Sequence, residues 1–162
     1  MSSPTSAPTP SAASPSPAAD RDTTDAVQRA LATEHAAVWA LQLVTAFLPA
    51  ELSAQLAEAA TAHQARRDVV ERLLRGRGTV PVAPAAAYTS PAPVTDPGSA
   101  LALLVSAESD AAAAWRSVVE RTDDAAVRAL AVDSLVDAAV RATRWRRAAG
   151  VAPLTVPFPG AP

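Results

Sequence analysis

Six ionisable residues are the ones whose types and spacing could do chemistry in this chain. Glu34 precedes His63 by 29 residues, and Glu108 precedes Asp137 by the same interval. Arg67 and Arg141 stand four residues beyond His63 and Asp137. Each falls within or beside an apolar stripe of helical period, where an ionisable side chain is expensive to bury. Three carboxylates and one imidazole are donor types that hold Zn, Mn or Fe, so Glu34, His63, Glu108 and Asp137 form one candidate single-metal site. The alternative is a metal-free ionic core. From one turn away, the guanidinium groups of Arg67 and Arg141 reach the two glutamates with charge-assisted hydrogen bonds. Cations in that position raise the cost of binding a metal, which favours the metal-free reading and no cofactor. Acid–base catalysis by Glu34 and Glu108 meets the same obstacle. Nearby arginines keep both ionised, whereas a general acid needs the opposite shift.

The elements that must position these groups are four helices. Thr23 or Thr24 is the expected N-cap of the first, whose inward stripe runs through Leu31, Glu34, Val38, Leu41 and Leu48. Pro49 closes it and opens a second helix carrying Leu56, Ala60, His63, Arg67, Val70 and Leu74. A proline-rich stretch follows, and Asp96-Pro97 restarts the third helix as a capping aspartate with a first-turn proline. Thr122-Asp123-Asp124 makes a tight turn into a fourth helix that Gly150 stops. The expected organisation is a disordered Pro/Ser/Ala-rich tail over 1–21 and one domain over 22–162. Its helices span about 24–48, 50–76, 97–121 and 123–149, with a crossover over 77–96 and a C-terminal strap from 150. Two short turns force antiparallel hairpins, and the crossover is long enough to run the length of the bundle. That predicts an all-α, ferritin-like four-helix bundle of two antiparallel hairpins joined by one long crossover. Glu34 and His63 lie nearly equally far from the turn at Pro49, as do Glu108 and Asp137 from the turn at Thr122. The four groups are therefore expected at one level near mid-bundle, with Asp137 on the flank of its helix.

Composition narrows the function classes. The chain is 49% hydrophobic yet has only two Phe, one Tyr and three Trp, so helices packed through small residues suit it better than a β-sandwich. A formal charge of −2 gives no global attraction to nucleic acid or an anionic membrane. Arginines cluster near the ends of helices 2 and 4, where they complement the helix dipole at opposite ends of the bundle and make no single basic patch. The absence of cysteine excludes a disulfide framework and thiolate metal sites. No apolar run reaches the length of a spanning helix, and residues 2–19 lack the pattern of a signal peptide, so a cytoplasmic, soluble protein is expected. No phosphate-binding loop or nucleophile elbow is present.

Several segments together resemble a known family. Glu34-His35-Ala36-Ala37-Val38-Trp39, His63-Gln64-Ala65-Arg66-Arg67-Asp68, Ala86-Ala87-Tyr88 with Pro93-Val94-Thr95-Asp96, Ala113-Ala114-Trp115-Arg116 and Phe158-Pro159-Gly160 are similar to the ferritin-like domain of unknown function family numbered 4439. The resemblance covers roughly 23–162 and implies a ferritin-like bundle with no established activity to transfer. The wider ferritin-like di-iron pattern places a glutamate on helices 1 and 3 and Glu-x-x-His on helices 2 and 4. Glu34, Glu108 and His63 fit it. Ala60 stands where the helix 2 glutamate would be, and Ser134 and Asp137 replace the Glu-x-x-His pair of helix 4. The expected function is a non-catalytic structural or protein-interaction module whose salt-bridged core replaces a di-iron centre. Its partner would be a second copy, as a homodimer, or another protein. A metal-binding or metal-dependent redox protein using the reduced carboxylate/histidine set is the alternative.

Overall fold

The computed structural model describes residues 17–161. Four helices fill most of that span: α1 (Pro17–Val44), α2 (Ser53–Gly76), α3 (Pro97–Arg121) and α4 (Ala125–Ala149). No strand occurs among the described residues.

Local chemistry sets the ends. Asp96 accepts the Ser99 amide at 2.8 Å while the Ser99 hydroxyl reaches back to the Asp96 amide at 3.1 Å, a reciprocal cap that starts α3 beside Pro97. Asp124 caps α4 by accepting the amides of Ala126 and Val127. Gly150, at φ 67°, ends α4 in a left-handed conformation that a β-carbon would disfavour.

The start of α1 differs from the sequence expectation. It begins at Pro17, within the stretch read as a tail, and Asp20 in its first turn offsets the helix dipole. Thr23 is thus not a cap. It is buried inside the helix, and its hydroxyl donates to the Arg121 carbonyl at 2.8 Å, tying α1 to the end of α3. The rest of the expected tail, 1–16, lies outside the described residues. α1 also stops at Val44 and not near residue 48, because Pro49 disfavours helical backbone in the residue before it. A single 3-10 turn, Ala50–Leu52, leads into α2.

α1 packs on α2 and α3, and α3 packs on α4. Ion pairs bridge α2 and α4: Glu58 with Arg144 at 3.0 Å, Arg66 with Asp137 at 3.0 Å, and Arg77 with Asp124. Because the numbers rise on one helix as they fall on the other, α2 and α4 run antiparallel. The long connection climbs beside α1. Gln28 clamps it by donating to the Val80 carbonyl at 2.7 Å and accepting the Val82 amide at 2.8 Å. Trp39 meets Tyr88 with ring centroids 5.5 Å apart. The result is the all-α bundle of two antiparallel hairpins joined by one long crossover, the connectivity of ferritin-like folds.

Two large apolar clusters divide the interior, with a small third of Ala111, Ala112 and Ala138 between α3 and α4. Leu31, Val70, Leu74, Trp115 and Val118 anchor one near the start of α1, and Leu41, Val44, Leu56, Leu104 and Trp145 anchor the other near its end. Glu34, His63 and Glu108 lie between them in sequence along each helix, so the bundle has an apolar top and bottom with a polar layer in between.

Candidate functional site: a buried ionic layer

α1 supplies Glu34, α2 supplies His63 and Arg66, α3 supplies Glu108 and Trp115, and α4 supplies Arg141 and Asp137. Glu34 is 0% exposed, His63 1% and Glu108 2%, so all three acid–base groups are cut off from bulk water. The imidazole joins two helices. His63 Nδ1 lies 2.7 Å from Glu34 Oε2, and His63 Nε2 lies 3.3 Å from Glu108 Oε1. The glutamates also accept from other directions. Trp115 donates its indole N–H to Glu34 Oε1 at 2.6 Å, with Arg66 Nη1 at 3.4 Å from the same oxygen. Arg141 Nε donates to Glu108 Oε1 at 3.1 Å.

The charges offset one another. Burial of the His63 ring lowers its pKa, but hydrogen bonds to Glu108 and Glu34, together with their negative charges, outweigh burial and hold it above the ordinary 6.5. For Glu34, burial raises the pKa. The hydrogen bond and charge of His63, the charge of Arg66 and the indole N–H overcome it and hold the carboxyl below the ordinary 4.5. Both directions favour the charged pair, an imidazolium beside the Glu34 carboxylate. With Glu108, Arg66, Arg141 and Asp137 added, three cations balance three anions.

The expected site residues divide into those brought together and those that are not. Glu34, His63 and Glu108 converge. Arg141 reaches Glu108, the contact expected of a guanidinium one turn beyond Asp137. Asp137 stays at the rim with its side chain 58% exposed, held to Arg66 at 3.0 Å and 3.9 Å from Arg141. Arg67 does not enter the layer. Its guanidinium turns outward to Asp68 at 2.8 Å, and Arg66 occupies the inward position instead. On an ideal helix both arginines lie within reach of the His63 face, at roughly 60° and 40° from it, so angle alone could not choose between them. The choice follows from where α4 lies, on the Arg66 side, with Asp137 as the partner. The Trp115 contact was also missed. Its signal was the apolar stripe of α3, in which a buried indole needs an acceptor.

This donor set does not fit a metal ion. A histidine ligand must present an unprotonated nitrogen to the metal, and here each ring nitrogen faces a carboxylate. The glutamate oxygens point at cations and an indole N–H, and Asp137 faces Arg66 at the rim. No group of three His, Asp or Glu side chains among the described residues is placed to hold an ion. His35, adjacent to Glu34, points elsewhere, with Nε2 3.2 Å from the Val82 carbonyl of the crossover.

A family model described as a domain of unknown function (DUF4439) matches residues 26–162. No curated protein matches the chain. A crystal structure of a conserved hypothetical protein, rv2844, from Mycobacterium tuberculosis is similar, with a TM-score of 0.80 and 38% identity over 87% of this chain and 99% of that one.

Proposed function

The chain belongs to the DUF4439 family of domains of unknown function, and we propose that it is a non-catalytic structural or protein-interaction module, cytoplasmic, with a salt-bridged core in place of the di-iron centre of the wider ferritin-like pattern. One observation carries this reading: both ring nitrogens of His63 are engaged by Glu34 and Glu108, which also accept from Arg66, Arg141 and Trp115. A catalytic group must touch its substrate. The three acid–base groups here are enclosed by the bundle and are not exposed to bulk water. The apolar groove between α3, α4 and the C-terminal strap, of about 570 Å³, is not lined by Glu34, His63 or Glu108. No helix among the described residues is long and apolar enough to cross a membrane.

The test is metal content. Protein purified without chelator should hold far less than one equivalent of Fe, Mn or Zn by mass spectrometry. Its melting temperature should not rise when any of the three is added, since an ion that binds the native state must stabilise it. Near-stoichiometric metal, or a melt raised by one ion, overturns the reading and restores the metal-binding or redox alternative.

A further inference from the structure

We propose that a second copy of this chain docks antiparallel against the outer face of α4, on a twofold axis at Val140. The proposal deepens the interaction-module reading by naming its partner. Its failure would leave the ionic-core argument, which rests on metal content, untouched.

α4 carries an apolar row that its own chain leaves uncovered. Val132, Val136 and Val140 follow one another at four-residue steps and are 41%, 54% and 45% exposed. β-branched residues half-open to water in one line, on a helix otherwise packed into a bundle, form a seam for another helix. The groove beside the strap opens along the same face, lined by Val136, Val140 and Val156, so a docked helix would cover both.

Charge identifies the occupant. Asp133 and Arg147 stand one heptad before and one heptad after Val140, on nearly the same line along the helix. Both are exposed, and neither has an ion-pair partner among the described residues, as is also true of Asp25, Arg29 and Arg72. In an antiparallel pair centred on Val140, Asp133 of each copy faces Arg147 of the other, giving two equivalent salt bridges; valine meets valine at Val140, while Val136 and Val132 lie under the Arg144 stem and Ala148 of the other copy. A parallel pair would set Asp133 against Asp133 and Arg147 against Arg147. An unrelated partner would have no reason to match opposite charges at equal distances from one residue. A twofold dimer requires that match, because the same surface must complement itself.

The test uses the full chain in sedimentation equilibrium up to about 1 mM, where a standard dimer is populated. The wild-type protein should sediment at twice the 16.5 kDa chain mass. Asp133→Arg and Arg147→Asp each place two like-charge pairs in the seam and should weaken the dimer roughly tenfold or more. The double variant Asp133→Arg/Arg147→Asp should recover wild-type affinity, and Val140→Glu should give monomer. All three sites are exposed, so the variants should keep the wild-type circular dichroism spectrum and melt as folded bundles. A wild-type monomer throughout the range overturns the proposal. So does a dimer that ignores the single reversals, or one that the double reversal does not restore.

Discussion

His63→Leu is the perturbation that the ionic layer should feel most. Leucine keeps most of the ring volume but removes the cation between two carboxylates that are 0% and 2% exposed. Glu34 loses its 2.7 Å partner and Glu108 its 3.3 Å partner, leaving three anions against two cations. Removing one member of a buried ion pair costs about 3–5 kcal/mol, because the abandoned charge stays desolvated. For a domain of this size that lowers the melting midpoint by roughly 6–20 °C. Scanning calorimetry across pH adds a second readout. A His63 pKa raised above 6.5 contributes stability that is fully present below pH 6.5 and is lost as pH rises through the folded-state value. A Glu34 pKa held below 4.5 contributes stability that is present above pH 4.5 and is lost as pH falls through its folded-state value. The wild-type contribution of this pair should therefore peak between pH 4.5 and 6.5 and decline on both sides. In His63→Leu the decline above pH 6.5 should vanish, and the variant should regain stability toward acid as a buried glutamate takes up a proton. A variant that melts within about 2 °C of wild type with an unchanged pH profile would refute the buried imidazolium.

Neighbouring substitutions separate the layer from its surroundings. Arg66→Ala removes the cation shared by Glu34 and Asp137 and should cost about 3 kcal/mol in chemical denaturation. Arg67→Ala, one residue away, loses only an exposed pair with Asp68 and should cost less than about 1 kcal/mol. Equal costs would contradict the assignment of Arg66 as the inward residue. Trp115→Phe keeps the aromatic packing but deletes the indole N–H bonded to Glu34 at 2.6 Å, and should cost about 1.5–3 kcal/mol, read from the same denaturation curves.

Much of the fold was legible because its punctuation is local. Pro49, Asp96-Pro97 and Thr122-Asp123-Asp124 act through backbone geometry and capping, which need no tertiary information. Equal distances from those turns placed Glu34, His63 and Glu108 in one layer. The contents of the layer were harder to read. Which of two adjacent arginines turns inward depends on which neighbouring helix lies on which side, and helical angle does not decide it. The Trp115 link spans α1 and α3, and no local pattern encodes a contact 81 residues apart. α1 starts early because Pro17–Asp20 is as good a first turn as Thr23 is a cap, and Thr23 finds its partner only across the bundle.

The ionic layer also answers a problem posed by the composition. Both apolar clusters contain several alanines, such as Ala26, Ala30 and Ala131 in one and Ala40, Ala59 and Ala100 in the other. Alanine faces look alike at every turn, so they do little to oppose a helix sliding by one turn, about 5.4 Å, and register rests on the large side chains, such as Leu74 and Trp115, and on the ionic layer. The same slip in α2 would carry His63 and Arg66 away from Glu34 and leave that carboxylate buried without its cations. By the measure used for His63→Leu, the slipped state is disfavoured by several kcal/mol, far more than the alanine contacts distinguish. The layer thus need not add to net stability to be useful. It opposes a slip of α2 in addition to the large side chains of the two clusters, because the slip would strand a buried carboxylate.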